Sequence, residues 1–293
     1  MNITIVQLGT GVCVPIDGTV AREFSRRDSQ MSRADVPLHT RVLFCSKEAL
    51  ESLGCFTQQL LMIRVFLGYD HREVIAYHVA SHSIQVRSSE PVEIAPLMLS
   101  QLREVFHRER NPLQSTDFSF TRFLVPYLCG YEGWGIFADC DILCLDDIAK
   151  LWALRDDRYA VMCVHHDHRP VEDTKFLGEK QTQYEKKNWS SVMLLNNARC
   201  RALTPEYVNT RSGLELHRFH WLGDDSLIGQ VPMRWNHLVG YNPDLPEEDL
   251  GILHFTEGGP YFDAYRNCPY APLWRRELVN LLTPAQPLSR EEN

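Results

Sequence analysis

The chain has no apolar run near the roughly 18 residues that a bilayer-spanning helix needs. Its first twenty residues lack a basic segment ahead of an apolar one, and Asp17 and Gly18 interrupt the only candidate. Neither a membrane span nor a signal peptide is therefore expected. There is also no CxxC pair: the nine cysteines are scattered and odd in number, which fits reduced thiols of a cytosolic protein. Basic residues are in deficit, 30 against 38 acidic, and a net charge of −8 speaks against a general nucleic-acid binder. Neither GxxxxGK nor GxGxxG occurs, and there is no Ser-His-Asp elbow, internal repeat or low-complexity tract. What is present, 44% apolar and 23% charged residues over 293 positions, suits a globular domain with a sizeable core. An anionic ligand of so acidic a protein must be met locally, by a metal, a few basic side chains or a helix N-terminus.

Residues 1–61 carry six basic and six acidic residues, so the whole net charge belongs to residues 62–293. Between Ala21 and Pro37 the sequence is polar and aperiodic, which predicts a non-domain extension over 1–61 and Met62 as the natural start; the bland alternative is a short N-terminal accessory segment. From Met62 apolar strand-like runs alternate with helix-like ones. Strands are expected at Ile63–Gly68, Val92–Ala95, Trp134–Ala138, Tyr159–Val164, Val192–Leu195 and Ile252–Phe255, with helices up to about Ser83, over Phe118–Cys129 and over Asp146–Leu154. Asp70 and Glu73 have the spacing of a capping box. The alternation predicts a single α/β domain over 62–283, a mostly parallel sheet sandwiched by helices, and a loose tail over 284–293.

The chemistry-bearing stretch is Gly135-Ile136-Phe137-Ala138-Asp139-Cys140-Asp141, an apolar strand running into carboxylates at i and i+2. In extended backbone alternate side chains leave on one side, so both acids can hold one divalent cation at the C-terminal sheet edge, where open α/β sheets bind ligands. The bland alternative is a turn followed by a helix cap, a role that Asp146 and Asp147 fit. Arg122 is the single cation of an apolar stretch, either a snorkelling surface residue or a ligand-facing one. Ser190 and Ser191 sit at the mouth of an apolar strand. His254 ends another, ahead of the turn Gly258-Gly259-Pro260.

These segments, in this order, with Gly223-Asp224-Asp225-Ser226 between the last two, resemble the nucleotide-sugar glycosyltransferases of the GT-A fold. The likeness is to the retaining family-eight group and its bacterial lipopolysaccharide and polysaccharide relatives, and it covers most of residues 62–270. The resemblance implies a GT-A-like domain that transfers a hexose from a nucleotide diphosphate sugar, a UDP-sugar by preference, to a glycan or other hydroxyl acceptor with retention. It implies Mn2+ on Asp139, Asp141 and His254, with Mg2+ as the substitute; the imidazole favours manganese. Tyr69 and Asp70 would lie near the base, Arg122 near the diphosphate or donor sugar, Ser190 and Ser191 along the sugar pocket, and Gly258 against the ligand. Asp225, or else Asp224, matches the acid near the transferred sugar; its bland alternative is a helix N-cap.

Two departures stand out. The lysine that family members carry after the histidine is missing, leaving Arg122, Lys186 or Lys187 to serve the diphosphate. The acidic segment reads Gly-Asp-Asp where the family tends to show Asp-Gln-Asp. Rival readings are a haloacid-dehalogenase-like phosphatase using Asp139 and Asp141, and a non-catalytic carbohydrate-binding relative. His165-His166-Asp167-His168 suggests a second metal site or an acceptor contact, against ordinary solvated loop histidines. Trp274-Arg275-Arg276 suggests peripheral membrane contact, against a packed terminal helix. The expected place of action is the cytoplasmic side, on a growing surface glycan.

Overall fold

A computed structural model describes residues 4–8, 13–16, 42–45, 62–110, 114–167, 176–178 and 184–283. The chain divides into two units, Met1–Leu61 and Met62–Asn293. In the first, β1 (Thr4–Leu8) pairs antiparallel with β2 (Cys13–Ile16) and parallel with β3 (Val42–Cys45). The polar segment between Ala21 and Pro37, His168 and the tail from residue 284 lie outside the described residues.

The second unit starts with β4 (Ile63–Gly68), α1 (Val74–Arg87) and β5 (Val92–Leu97). A short α2 (Val125–Leu128) leads to β6 (Trp134–Ala138) and β7 (Ile142–Cys144), then α3 (Ile148–Trp152), β8 (Val161–Cys163) and β9 (Val192–Asn196). Two one-turn helices follow, α4 (Pro205–Thr210) and α5 (Gly213–His217), then β10 (Ile228–Gln230), β11 (His237–Leu238), β12 (Ile252–His254) and α6 (Ala271–Leu282). Six strands form the main sheet in the order β10-β8-β9-β6-β4-β5, and β11-β12-β7 form a small second one. Within the main sheet the pairs β10–β8, β6–β4 and β4–β5 are parallel, whereas β9 runs antiparallel to both β6 and β8.

Both faces of the main sheet are covered, which is why its strands read as unbroken apolar runs. Alternation along β6 sends Phe137 to one core, with Phe118, Phe123, Met193 and Leu195. Ile136 and Ala138 go to the other, with Val65, Leu67, Leu194 and the α1 residues Ala80 and Ile84. A third cluster, around Leu143, Leu253, Phe255 and Trp274, seats α6 beside the small sheet.

Three local expectations are corrected. Phe118–Cys129 is not one helix: a 3-10 turn over Thr121–Leu124 precedes α2, because Pro126 at the start of α2 has no N–H to donate to an earlier turn. The Asp70/Glu73 capping box does not form; α1 begins at Val74, and the Asp70 carboxylate is taken by Arg72 and the Asp117 amide. The helix expected over Asp146–Leu154 shrinks to α3, capped by Asp147 through the Ala149 amide at 2.9 Å.

α6 is tied to α1 by a buried acid. Glu277, 1% exposed, meets His82 Nδ1 and Arg87 Nη2, each at 2.6 Å. Burial pushes its carboxyl up, but the Arg87 and His82 contacts outweigh that and hold it below the usual carboxylate range. A group lowered by folding stabilises above its unfolded value and loses that contribution as pH falls through its folded value. Glu277→Gln should therefore cost about 2 kcal/mol near neutrality. In urea denaturation its deficit against the parent should shrink towards zero as the pH drops below the carboxylate range.

Candidate metal and donor site

Strand register builds the site. β6 ends at Ala138, and the antiparallel pair Ala138↔Val192 sets the start of β9 beside it, so the Asp139 amide donates to Ser191 O at 2.9 Å. In the small sheet the pair His254↔Ile142 sets the end of β12 beside the start of β7, and the Phe255 amide donates to Asp141 O at 2.9 Å. Asp139, Asp141 and His254 thereby each bring one ligand atom within 4.8 Å of the others. His254 Nε2 lies 3.3 Å from Asp141 Oδ1 and 3.9 Å from Asp139 Oδ2. Cys140, between the two acids, turns into the core, where burial and then the neighbouring Glu73, Asp141 and Asp139 push its thiol up and keep it protonated.

Arg122 is buried beside Asp139, not snorkelling at the surface. It is 5% exposed, and its Nη1 pairs with Asp139 Oδ1 at 2.9 Å and donates to Ser190 O at 2.8 Å. Its guanidinium lies over the rings of Phe118 and Phe137, at 5.4 and 4.9 Å from their centroids. Ser190 and Ser191 are both buried and engaged: Ser190 Oγ shares a hydrogen bond with His217 Nδ1 at 2.8 Å, and Ser191 Oγ donates to Asn188 O at 2.6 Å. Burial, then the charges of Arg122 and Lys187, hold the His217 imidazole well below its ordinary value, so it is neutral. Burial pushes the Tyr184 phenol up to about 12, with Arg122 opposing and Asp139 adding.

The donor set fits a divalent cation. Asn236, fully buried, sends its Nδ2 to Asn188 O at 3.2 Å and Ser191 Oγ at 2.9 Å, so its Oδ1 is the atom facing His254 Nδ1 at 3.0 Å. Nδ1 must then carry a hydrogen, which leaves Nε2, facing the two carboxylates, as the ring atom able to ligate a metal. Three electron-rich donors pointed at one another is an arrangement that a cation among them satisfies.

The other expected residues each have their own contacts. Tyr69 packs edge-on against Tyr77, with ring centroids 5.4 Å apart. Asp70 is fully buried; burial raises its carboxyl, but Arg72 and the Asp117 amide lower it further, leaving it below the usual range. Asp70 also joins His71 and Asp117 in a second acidic group, whose carboxylates are held by Arg72 and Arg110. Gly258 has φ 142°, a conformation that side chains rarely adopt, and its amide donates to Phe255 O at 2.8 Å. Asp224 is the N-cap of the 3-10 turn Asp225–Leu227, its Oδ1 accepting from the Ser226 amide at 2.8 Å. Asp225 is exposed and pairs with Lys186 Nζ at 2.5 Å, while Lys187 Nζ lies 5.2 Å above the Tyr184 ring. His165 stacks on Trp189 at 3.9 Å, and Trp189 Nε1 donates to His166 O. Trp274 is buried, Arg276 pairs with Glu247, and Arg275 donates to Arg266 O, as in a packed terminal helix. Among the described residues no helix is long and apolar enough to cross a membrane.

Sequence reasoning missed Asn236 and His217, and it took Glu73 for a cap residue, whereas its buried Oε1 accepts from Tyr261 OH at 2.9 Å. Asn236 alone left a trace, a lone amide beside Trp235 ahead of a short apolar strand.

No model of a known protein family matches the chain. Over 222 residues it is 50% identical to Protein CDI of Arabidopsis thaliana, an alignment covering 73% of this chain and 85% of that protein. Among solved structures, glycosyltransferase GlyE of Streptococcus pneumoniae TIGR4 in its apo form matches with a TM-score of 0.50 at 14% identity, over 75% of this chain. A second GlyE structure matches with the same score at 15% identity. The chain spans 62% of GlyE's length. The α/β expectation is met, with β9 as the antiparallel member of the sheet. The chain belongs to the same family as Protein CDI, built on the fold of the GT-A nucleotide-sugar glycosyltransferases.

Proposed function

We propose that the protein is a metal-dependent glycosyltransferase that moves a hexose from a nucleotide diphosphate sugar, of the UDP class by family resemblance, to a hydroxyl of a glycan or similar acceptor. The observation that carries this reading is the convergence of Asp139, Asp141 and the Asn236-anchored His254 at the C-terminal end of β6. The glycosyltransferase fold and the agreement in order between its motifs and this chain's support it.

Asp139, Asp141 and His254 would hold Mn2+, or Mg2+ less well, because the imidazole donor suits manganese better than magnesium. When bound, that ion supplies charge neutralisation for a departing nucleoside diphosphate. Arg122 keeps a permanent positive charge beside Asp139 and is the buried cation nearest to where a diphosphate would lie, in place of the missing lysine. Its contacts with Ser190 O and Asp139 fix the guanidinium before any donor arrives, so little reorganisation is left for the reaction. The covered rings of Phe118 and Phe137 keep water from one side of it. With retention, the acceptor hydroxyl attacks from the leaving-group face and a diphosphate oxygen takes its proton. By the family resemblance, Asp225, exposed and paired with Lys186, takes the part of the acid near the transferred sugar, since Asp224 is committed to its cap.

With Mn2+ and a panel of nucleotide sugars the protein should release free nucleoside diphosphate, and Asp141→Asn should reduce that release at least about 100-fold. Phosphate release from simple phosphoesters would instead favour the phosphatase reading, and no turnover with any donor the carbohydrate-binding one. UDP at roughly 100 times its Kd should add about 2.7 kcal/mol of stability, read as a rise in Tm that requires Mn2+ and is lost in His254→Ala. The two neighbouring acids should separate: Asp225→Asn lowers kcat with little change in Tm, while Asp224→Asn costs about 1 kcal/mol of local stability and leaves kcat nearly intact.

A further inference from the structure

Asn236 is fully buried, belongs to neither the acidic pair nor the serine segment, and touches both halves of the site. Its Nδ2 donates to Asn188 O and Ser191 Oγ, and its Oδ1 accepts from His254 Nδ1. The direction of these bonds is determined. Asn188 O is a carbonyl and can only accept, and Ser191 Oγ spends its own hydrogen on that same carbonyl at 2.6 Å. The amide is therefore locked, and with it the imidazole tautomer. Resting on the metal reading above, we infer that Asn236 is a positioning residue that sets the cation preference of the site, by holding the His254 Nε2 lone pair on the two aspartates.

The physical consequence is selective. An imidazole that is free to rotate or to protonate at Nε2 leaves a site of two carboxylates, which serves Mg2+ nearly as well as before but Mn2+ less well. Loss of such an outer contact generally weakens metal binding by roughly 10- to 100-fold. Asn236→Ala should therefore lower Mn2+ affinity by about that factor and Mg2+ affinity by less, so that the Mn2+/Mg2+ preference falls. A contact that merely supported the fold would weaken both ions alike.

The test is titration of Mn2+ by electron paramagnetic resonance, with Mg2+ competition, on the full chain and on Asn236→Ala, His254→Ala and the double variant. Because Asn236 acts through His254, its substitution should change Mn2+ affinity little in the His254→Ala background. Equal losses for both ions, or a full additional loss in the double variant, would overturn the inference while leaving the metal site standing. Failure of the parent chain to bind Mn2+ would overturn the metal reading and this inference with it. Should Asn236→Ala fail to fold, nitrogen-15 spectra of the metal-free parent decide the matter, with the His254 signal assigned by its loss in His254→Ala. A hydrogen on Nδ1 is expected, with or without a second one on Nε2, and a neutral ring with its hydrogen on Nε2 alone overturns the inference.

Discussion

A half-buried aspartate, a buried one and the Nε2 edge of an imidazole meet where two sheets join, and the surrounding structure holds that grouping in place. Carboxylates removed from water repel unless cations or hydrogen bonds reach them. Arg122 answers part of the charge directly, on Asp139. The rest is imposed by backbone: Asp139 is fixed through its amide to β9, and Asp141 through its carbonyl to the residue after His254. The backbone of neither acid can move away without breaking a strand end. Pairing two sheets through one Asp-Cys-Asp segment thus costs local electrostatic stability, in exchange for a preformed place for a cation.

The same geometry explains where the cation-rich groups went. The protein is acidic over residues 62–293, yet Arg122 pairs with Asp139, and Lys186 and Lys187 lie in the segment leading into β9, where Lys186 pairs with Asp225. Lys186 and Asn188 adopt left-handed backbone, at φ 61° and 63°, in the turn that presents Ser190 and Ser191. Non-glycine residues held in that region carry strain of about 1 kcal/mol or more each, which tends to persist where a surrounding network over-determines the conformation. Here the network is visible: Asn188 O accepts from both Ser191 Oγ and Asn236 Nδ2, and Lys186 Nζ reaches Arg218 O and Asp225.

Much of this was legible in the residues. The apolar runs at Ile63–Gly68 and Trp134–Ala138 announce buried strands to the residue, and the carboxylates that follow the second must sit at its edge. His254 could be placed at a strand end for the same reason. The direction of β9 could not be read, because a strand buried on both faces is apolar throughout and its pattern is the same whichever way it runs. The Phe118–Cys129 stretch misled because its apolar positions satisfy a helix while Pro126 divides it. Asp70 and Glu73 misled differently: their spacing suits a cap, but Arg72 between them captures the first and Tyr261 the second, contacts from the tertiary structure that no local rule contains.

The turn after His254 shows how one departure from the family pattern can be structural before it is chemical. At Gly259 a Cβ would come 2.2 Å from the Tyr261 ring, so the aromatic lies directly against the backbone of the turn. Tyr261 then packs on Trp274 of α6 and donates to the buried Glu73 at the start of α1, with Cys140 of the aspartate segment on the other side of that carboxylate. Burial and the nearby Glu73 push the Tyr261 phenol well above its ordinary value, so it remains a donor. The turn is thus folded inward and pinned by an aromatic. On the proposed reading, the cation for a diphosphate is Arg122, which stands against Asp139.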